Sequence, residues 1–214
     1  MCIAYNTERL KAADLPKRWD DLADPKYKGR LILPAANNVH SIMLMLKLAM
    51  QHGGGINDVD PGVTGLKDIS KNVSTYFTSY DQNFNLLNSG QAWIAVTSTD
   101  RSIDQVLKGA PIRTFYPEQG TVFISNSIGV SKGTKHKEMA EAFLDFILSK
   151  EVQNGIADKL GLMPVRHDVD ITPAVKAQLP QGKALANSLM PDWSQITRNQ
   201  AAWIERYTKE ITSK

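Results

Sequence analysis

The run Ala92-Trp93-Ile94-Ala95-Val96 constrains the fold of this chain more than any other feature. Five apolar residues in succession, ended by Thr97-Ser98-Thr99-Asp100, read as a central strand with both faces covered. The residues after it start a helix that stops at Lys108-Gly109. The same strand-to-helix order recurs upstream. Residues 2–6 read as a short strand, and residues 30–33 as another, closed by Pro34. With Asn37 or Asn38 as cap, a helix is predicted over 39–51. Its apolar positions Ile42, Met43, Met45, Leu46 and Ala49 cover more than one face, as a buried helix requires. Further helices are predicted near 64–71 and over 81–88, and strands over 75–77, 112–116 and 121–130. A helix capped by Thr134 carries Met139, Phe143 and Ile147 at i, i+4 spacing, widened by Ala140 and Leu144. Ser149 opens the next helix, which Gly161 and Pro164 stop. From Asp168 the chain reads as mainly helical, ending with 193–211. The pattern is α/β with a helical C-terminal region.

The chemistry that is missing narrows the function. Among 214 residues, 25 Lys and Arg against 22 Asp and Glu leave a net charge of +3. That is no basis for nucleic-acid binding, and the tightest cluster (Lys132, Lys135, Lys137) reads as a solvated helix start. Cys2 is the single cysteine, so neither an intrachain disulfide nor a CxxC metal pair exists. The longest apolar run, 41–50, contains Lys47 and is too short for a membrane span. The four histidines, at 40, 52, 136 and 167, make no HExxH spacing. GxxxxGK[ST], GxGxxG and GxSxG are absent. Asp20 and Asp21 read as cap and turn residues rather than a catalytic pair. His40 and Ser41 point about 100° apart on a helix, so they do not make a base and nucleophile. Asp58-Val59-Asp60 lacks the other ligands of a calcium loop. No catalytic residue, metal or cofactor is expected.

Several segments, in order, resemble one family. Tyr5-Asn6-Thr7 resembles a crossover strand ending in YNT. Residues 19–30, WDDLADPKYKGR, resemble the W-x-D-L-x-x-P-x-Y-K-G-(K/R) entry into a second lobe. Ser89-Gly90-Gln91-Ala92 resembles the turn before a central strand, and residues 116–121, YPEQGT, the return to the first lobe. Residues 128–133 and 140–152 resemble a hinge strand and the helix after it; Asp192-Trp193 and 203–207 resemble the closing helix. Together they are similar to the periplasmic solute-binding proteins of ABC importers, of the polyamine, iron(III) and thiamine type. The resemblance implies a type II periplasmic-binding-protein fold. Residues 10–117 would be an intact second lobe, with 1–9 and 118–214 the hinge strands and helical remainder of the first. It also implies a preceding stretch holding most of the first lobe's sheet, and an export leader, since residues 1–6 have no basic or apolar leader character. The 136–148 helix would then lack its sheet, and its exposed stripe favours self-association.

The resemblance implies a solute clamped between two lobes in the periplasm and passed, unaltered, to an ABC permease in the inner membrane. Open α/β sheets bind ligands where strands end and helices begin. Thr97, Ser98, Thr99, Asp100 and Arg101 form the leading junction, and Asn37, Asn38 and Ser41 a second. Relatives place contacts on the returning segment, here Phe123, Ser125 and Asn126, and Tyr5 lies near the hinge. Polyamine binders use aromatic and acidic residues where this chain has Ala36, Val39, Ser98, Phe123 and Ser125. Iron binders carry adjacent tyrosines where it has Thr97-Ser98-Thr99. Hydroxyls and amides with one Arg suit a small polar organic or anionic solute. The alternatives are a ligand-sensing domain of a regulator, or an enzyme on the same lobes.

Overall fold

A computed structural model describes residues 1–213. Its frame is a five-stranded sheet of β1 (Cys2–Asn6), β2 (Leu31–Pro34), β3 (Val73–Phe77), β4 (Ile94–Thr97) and β5 (Ile112–Phe115), in the spatial order β3-β2-β4-β1-β5. β2 runs parallel to β3 and β4, while β1 is antiparallel to β4 and β5. Parallel neighbours require long crossovers, which helices supply. α1 (Val39–Gln51) and α2 (Asp60–Ser70) follow β2, α3 (Tyr80–Asn88) follows β3, and α4 (Thr99–Leu107) follows β4. The architecture is the expected α/β class.

Side chains alternate across the sheet. Ile3, Leu31, Leu33, Ile94 and Val96 join α1 and α2 in the larger core, whereas Ala4, Ile32 and Ala95 join Phe84 and Leu87 of α3 in the smaller one. With both faces covered, β2 and β4 have no polar side to show, hence their unbroken apolar runs. Each fully buried aliphatic side chain contributes roughly 1.5–3 kcal/mol on leaving water. α1 is buried from His40 to Ala49. It lies so close to α2 that a Cβ on Gly62 would stand 2.1 Å from the Met45 carbonyl oxygen.

The C-terminal half departs from expectation at its start. Residues 121–130 form no strand: Val122 makes one isolated parallel bridge to Leu189, and residues 125–129 are exposed. A strand exists by pairing its backbone, and among the described residues this segment pairs no further. After α5 (Lys137–Ile147) and α6 (Lys150–Leu160) come the short helices α7 (Pro173–Lys176) and α8 (Gly182–Ala186) and then α9 (Trp193–Tyr207), so the stretch from 168 is mainly helical as expected, its irregular part lying before α9. The last helix runs from Trp193 as expected without a break at 207, its final turn, Thr208–Thr212, being π-helical.

Residues 118–213 pack in two different ways. α9 buries Ile196, Trp203 and Tyr207 in the same core as α1 and β2. Tyr207 Oη donates to the Pro34 carbonyl (3.2 Å), and Lys67 of α2 pairs with Glu210 at 2.5 Å. α5 has no buried residue; its Met139, Phe143 and Phe146 are 72%, 54% and 60% exposed. Of the stripe read from the sequence, Met139 and Phe143 are exposed while Ala140, Leu144 and Ile147 are half-buried; Phe146 adds to the exposed apolar surface.

Candidate functional site

Three parallel strands end at one edge of the sheet, and each hands over to a helix there. Their N-caps are Asn38 for α1, Ser79 for α3 and Ser98 for α4. Short polar side chains hold such positions because they satisfy first-turn amides that have no intrahelical acceptor. Asn38 Oδ1 accepts from the His40 amide at 3.0 Å, and Ser79 Oγ from the Gln82 amide at 3.2 Å. Ser98 behaves differently: its hydroxyl donates to the Asp100 carboxylate and caps nothing. Among the described residues the first-turn amides of α4 have no side-chain acceptor.

The junctions meet around Tyr80, the half-buried first residue of α3. Its Oη lies 3.3 Å from His40 Nδ1, with the two rings edge to face at 6.3 Å. The Arg101 guanidinium stands 5.7 Å from the centre of its ring, on the α4 side, and Phe77 packs against it at 5.9 Å. Burial pushes the Tyr80 hydroxyl above the ordinary phenol pKa, and hydrogen-bonding groups on Asn38 and Ser98 oppose the shift. His40 is buried, and burial pushes its pKa down to about 3, so the imidazole is neutral at pH 7.

The structure sorts the residues expected from sequence. Thr97 is fully buried and accepts from Asn83 Nδ2 (3.1 Å). Thr99 is half-buried, and its hydroxyl accepts from Tyr116 Oη (3.1 Å). Ser98 and Asp100 are half-buried at the edge, Asp100 also lying 3.8 Å from Arg101 Nε, and Arg101 is exposed. Thus the junction exists, but two of its three hydroxyls point inward. Asn37 is exposed beside Asn38. Ser41 is fully buried, and its hydroxyl donates to the Asn38 and Ala36 carbonyls (2.6 and 3.1 Å). It neither faces the edge nor bonds to His40. The register places Tyr5 away from these junctions. In the antiparallel β1–β4 pair Cys2 lies opposite Thr97, whereas Tyr5 lies opposite Ile94, toward the other end of the sheet.

Thr121 Oγ1 donates to the Met1 carbonyl, next to Cys2, so the returning segment starts at the Thr97 end. Beyond it Phe123 is half-buried, and Ser125 and Asn126 are exposed, with no hydrogen bond to the junctions among the described residues. Tyr80 and His40 were not among the expected site residues. The signal for Tyr80 was an aromatic residue at a third strand-to-helix junction, governed by the same rule as the other two.

Two concavities, of ≈ 410 Å³ between Asp20, His52 and Asp68 and of ≈ 710 Å³ along Arg18, Phe115 and Gln119, lie elsewhere. Among the described residues no group of three His, Cys, Asp or Glu side chains could hold a metal ion. No described helix is long and apolar enough to cross a membrane.

Comparison with known proteins gives the setting for this edge. A family model described as bacterial extracellular solute-binding protein matches residues 1–199. A Salmonella typhimurium protein, provisionally named a 2-aminoethylphosphonate-binding periplasmic protein, is 26% identical over 216 residues, which cover 98% of this chain and 62% of the relative. The spermidine/putrescine-binding periplasmic protein of the same organism is 24% identical over 190 residues, 85% of this chain and 50% of the relative. The crystal structure of an ABC transporter protein from Clostridium perfringens superposes with a TM-score of 0.79 at 22% identity, over 98% of this chain and 66% of that one. The chain thus spans about 62% of the length of the first of these relatives.

Proposed function

The chain belongs to the bacterial extracellular solute-binding protein family, and from that premise we propose that it holds a small polar or anionic solute at the three junctions and releases it unaltered. The observation that carries this reading is the meeting of three helix N-termini around Tyr80, with α4 uncapped and Arg101 exposed beside it. Peptide dipoles leave partial positive charge at each N-terminus, and bare amides point outward to receive an oxyanion. Asp100 is occupied by Ser98 and Arg101, which weighs against a polyammonium solute. The relative named for 2-aminoethylphosphonate offers a compound whose phosphonate suits such a seat.

The three junctions alone form one wall, and enclosing a solute needs a second that closes over it. Contacts made only in the closed state would shift the population toward closure, and the closed form would be the one presented to an ABC-type permease in the inner membrane. Phe123, Ser125 and Asn126 leave the sheet at the right end to contribute to that wall. Residues 10–117 with α9 would form one lobe, and α5 to α8 part of the other. The periplasm is the proposed compartment, and the uncovered face of α5 would support self-association of the isolated chain. Among the described residues neither a nucleophile–base pair nor paired carboxylates meets the junctions, which supports a binding role over an acyl-transfer or glycosidase one.

Titration of ¹⁵N-labelled chain with 2-aminoethylphosphonate tests the reading by NMR. Saturable shifts should centre on the amides of Thr99, Asp100 and Arg101, with the ³¹P spectrum of the compound unchanged after incubation. R101A should weaken binding by about tenfold, the worth of a lost charge-assisted hydrogen bond. Shifts centred elsewhere, or conversion of the compound, would overturn the proposal.

A further inference from the structure

We infer that Tyr80 is a solute-contacting residue whose hydroxyl donates to an anionic oxygen of the solute, and that His40 and Asn38 are the positioning residues that leave this proton available. The inference rests on the solute-binding reading of the junctions and adds to it a residue and a sign of charge.

The proton bookkeeping starts at Asn38. Its Oδ1 accepts from the backbone amide of His40 (3.0 Å), which fixes which end of the carboxamide faces α1. His40 Nδ1 lies 3.0 Å from that same oxygen. A carboxamide oxygen only accepts, so Nδ1 must carry the hydrogen; the network assigns this tautomer. A protonated Nδ1 has no lone pair to offer Tyr80. At 3.3 Å the phenol oxygen can only take a share of the N–H that Asn38 already holds. Besides this contact the neighbours of Tyr80 Oη are Asn38 and Ser98, which lower its pKa and so act as donors toward its oxygen rather than as acceptors of its proton.

The surroundings decide what the free donor suits. Arg101 stands over the ring of the same tyrosine, and the amides of α4 lack a side-chain cap. The nearby carboxylate, Asp100, already accepts from Ser98 and pairs with Arg101. The edge therefore presents donors and a guanidinium, with its acceptor spent internally. An oxyanion such as a phosphonate, phosphate or carboxylate satisfies all of these groups. An ammonium group satisfies none of them.

The test uses the whole 214-residue chain and follows the Thr99–Arg101 amides by NMR, with 2-aminoethylphosphonate and spermidine as probes. Y80F should keep the folded spectrum and weaken 2-aminoethylphosphonate binding by about tenfold. H40L should lose affinity to a similar degree. H40N, which sets an amide NH₂ near the place of Nδ1–H, should restore it to within about threefold. If Y80F binds within about twofold of wild type while the Thr99–Arg101 shifts persist, the inference falls and the junction reading stands. Equal losses in H40L and H40N would refute the positioning role. Saturable binding of spermidine in place of the phosphonate would refute the oxyanion assignment. No saturable shift at these amides with either probe would overturn both readings.

Discussion

His40 shows how one side chain sets both local geometry and acid stability. Burial holds its pKa near about 3 in the fold, against an ordinary value of 6.5. Between these values the unfolded chain takes up a proton that the folded chain refuses. Stability is then fully present above pH 6.5, declines as the pH falls toward 3, and loses nothing further from this group below that. The slope is about 1.4 kcal/mol per pH unit well inside the window. Urea denaturation between pH 6.5 and 4 should show wild type losing stability faster than H40N by about 1 kcal/mol per unit; parallel curves would mean that other groups set the slope. Nothing local in the sequence announces this role. Tyr80 is forty residues away, and the contact exists only because β2 and β3 lie side by side. Thr97–Arg101 and Asn37–Asn38 were legible because strand, turn and helix are contiguous there. The positions of Ser41 and Tyr5 were not legible: the first bonds to local carbonyls, and the second is set at the other end of the sheet by antiparallel register, which a lone sequence does not reveal.

At the scale of elements, the legible parts are those whose burial is symmetric. β2 and β4 are apolar on both faces, and α1 is apolar nearly all round, so their patterns do not depend on which neighbour they meet. The segment 121–130 has Val122, Ile124, Ile128 and Val130 and reads equally as a strand, but strand propensity expresses packing against partners, and a single bridge does not supply them. Helix contacts too fine for pattern reading appear at Gly62. A Cβ there would meet the Met45 carbonyl oxygen at 2.1 Å and the Ala49 nitrogen at 2.9 Å, both backbone atoms that cannot swing away. Ala is otherwise the better helix former by about 1 kcal/mol. G62A should nonetheless destabilise the protein by roughly 1–3 kcal/mol in chemical denaturation, because overpacking forces α1 and α2 apart. A neutral or stabilising result would show that the spacing of these helices yields without cost.

The whole molecule is uneven, tightly packed at one end and uncovered at the other. α9 and the turn after it are fastened to α1, α2 and β2 by Trp203, Tyr207 and the Lys67–Glu210–Arg206 ion pairs. α5 and α6 instead show solvent Met139, Phe143, Phe146 and Leu160. Apolar patches beyond a few hundred Å² on a soluble monomer promote association, and the heptad-like spacing of Met139, Phe143 and Phe146 puts them on one stripe. Light scattering should therefore show the chain's apparent mass rising with concentration from about 10 μM to about 1 mM. M139E combined with F143E should abolish the rise. The same pair should leave the denaturation midpoint nearly unmoved, since neither side chain is buried and exposed substitutions change stability by about 0.5 kcal/mol or less. That second measurement separates an uncovered surface from a loosened core. A mass that stays at the 23.7 kDa of one chain across the range would show that the stripe is too narrow or too mobile to hold a second molecule.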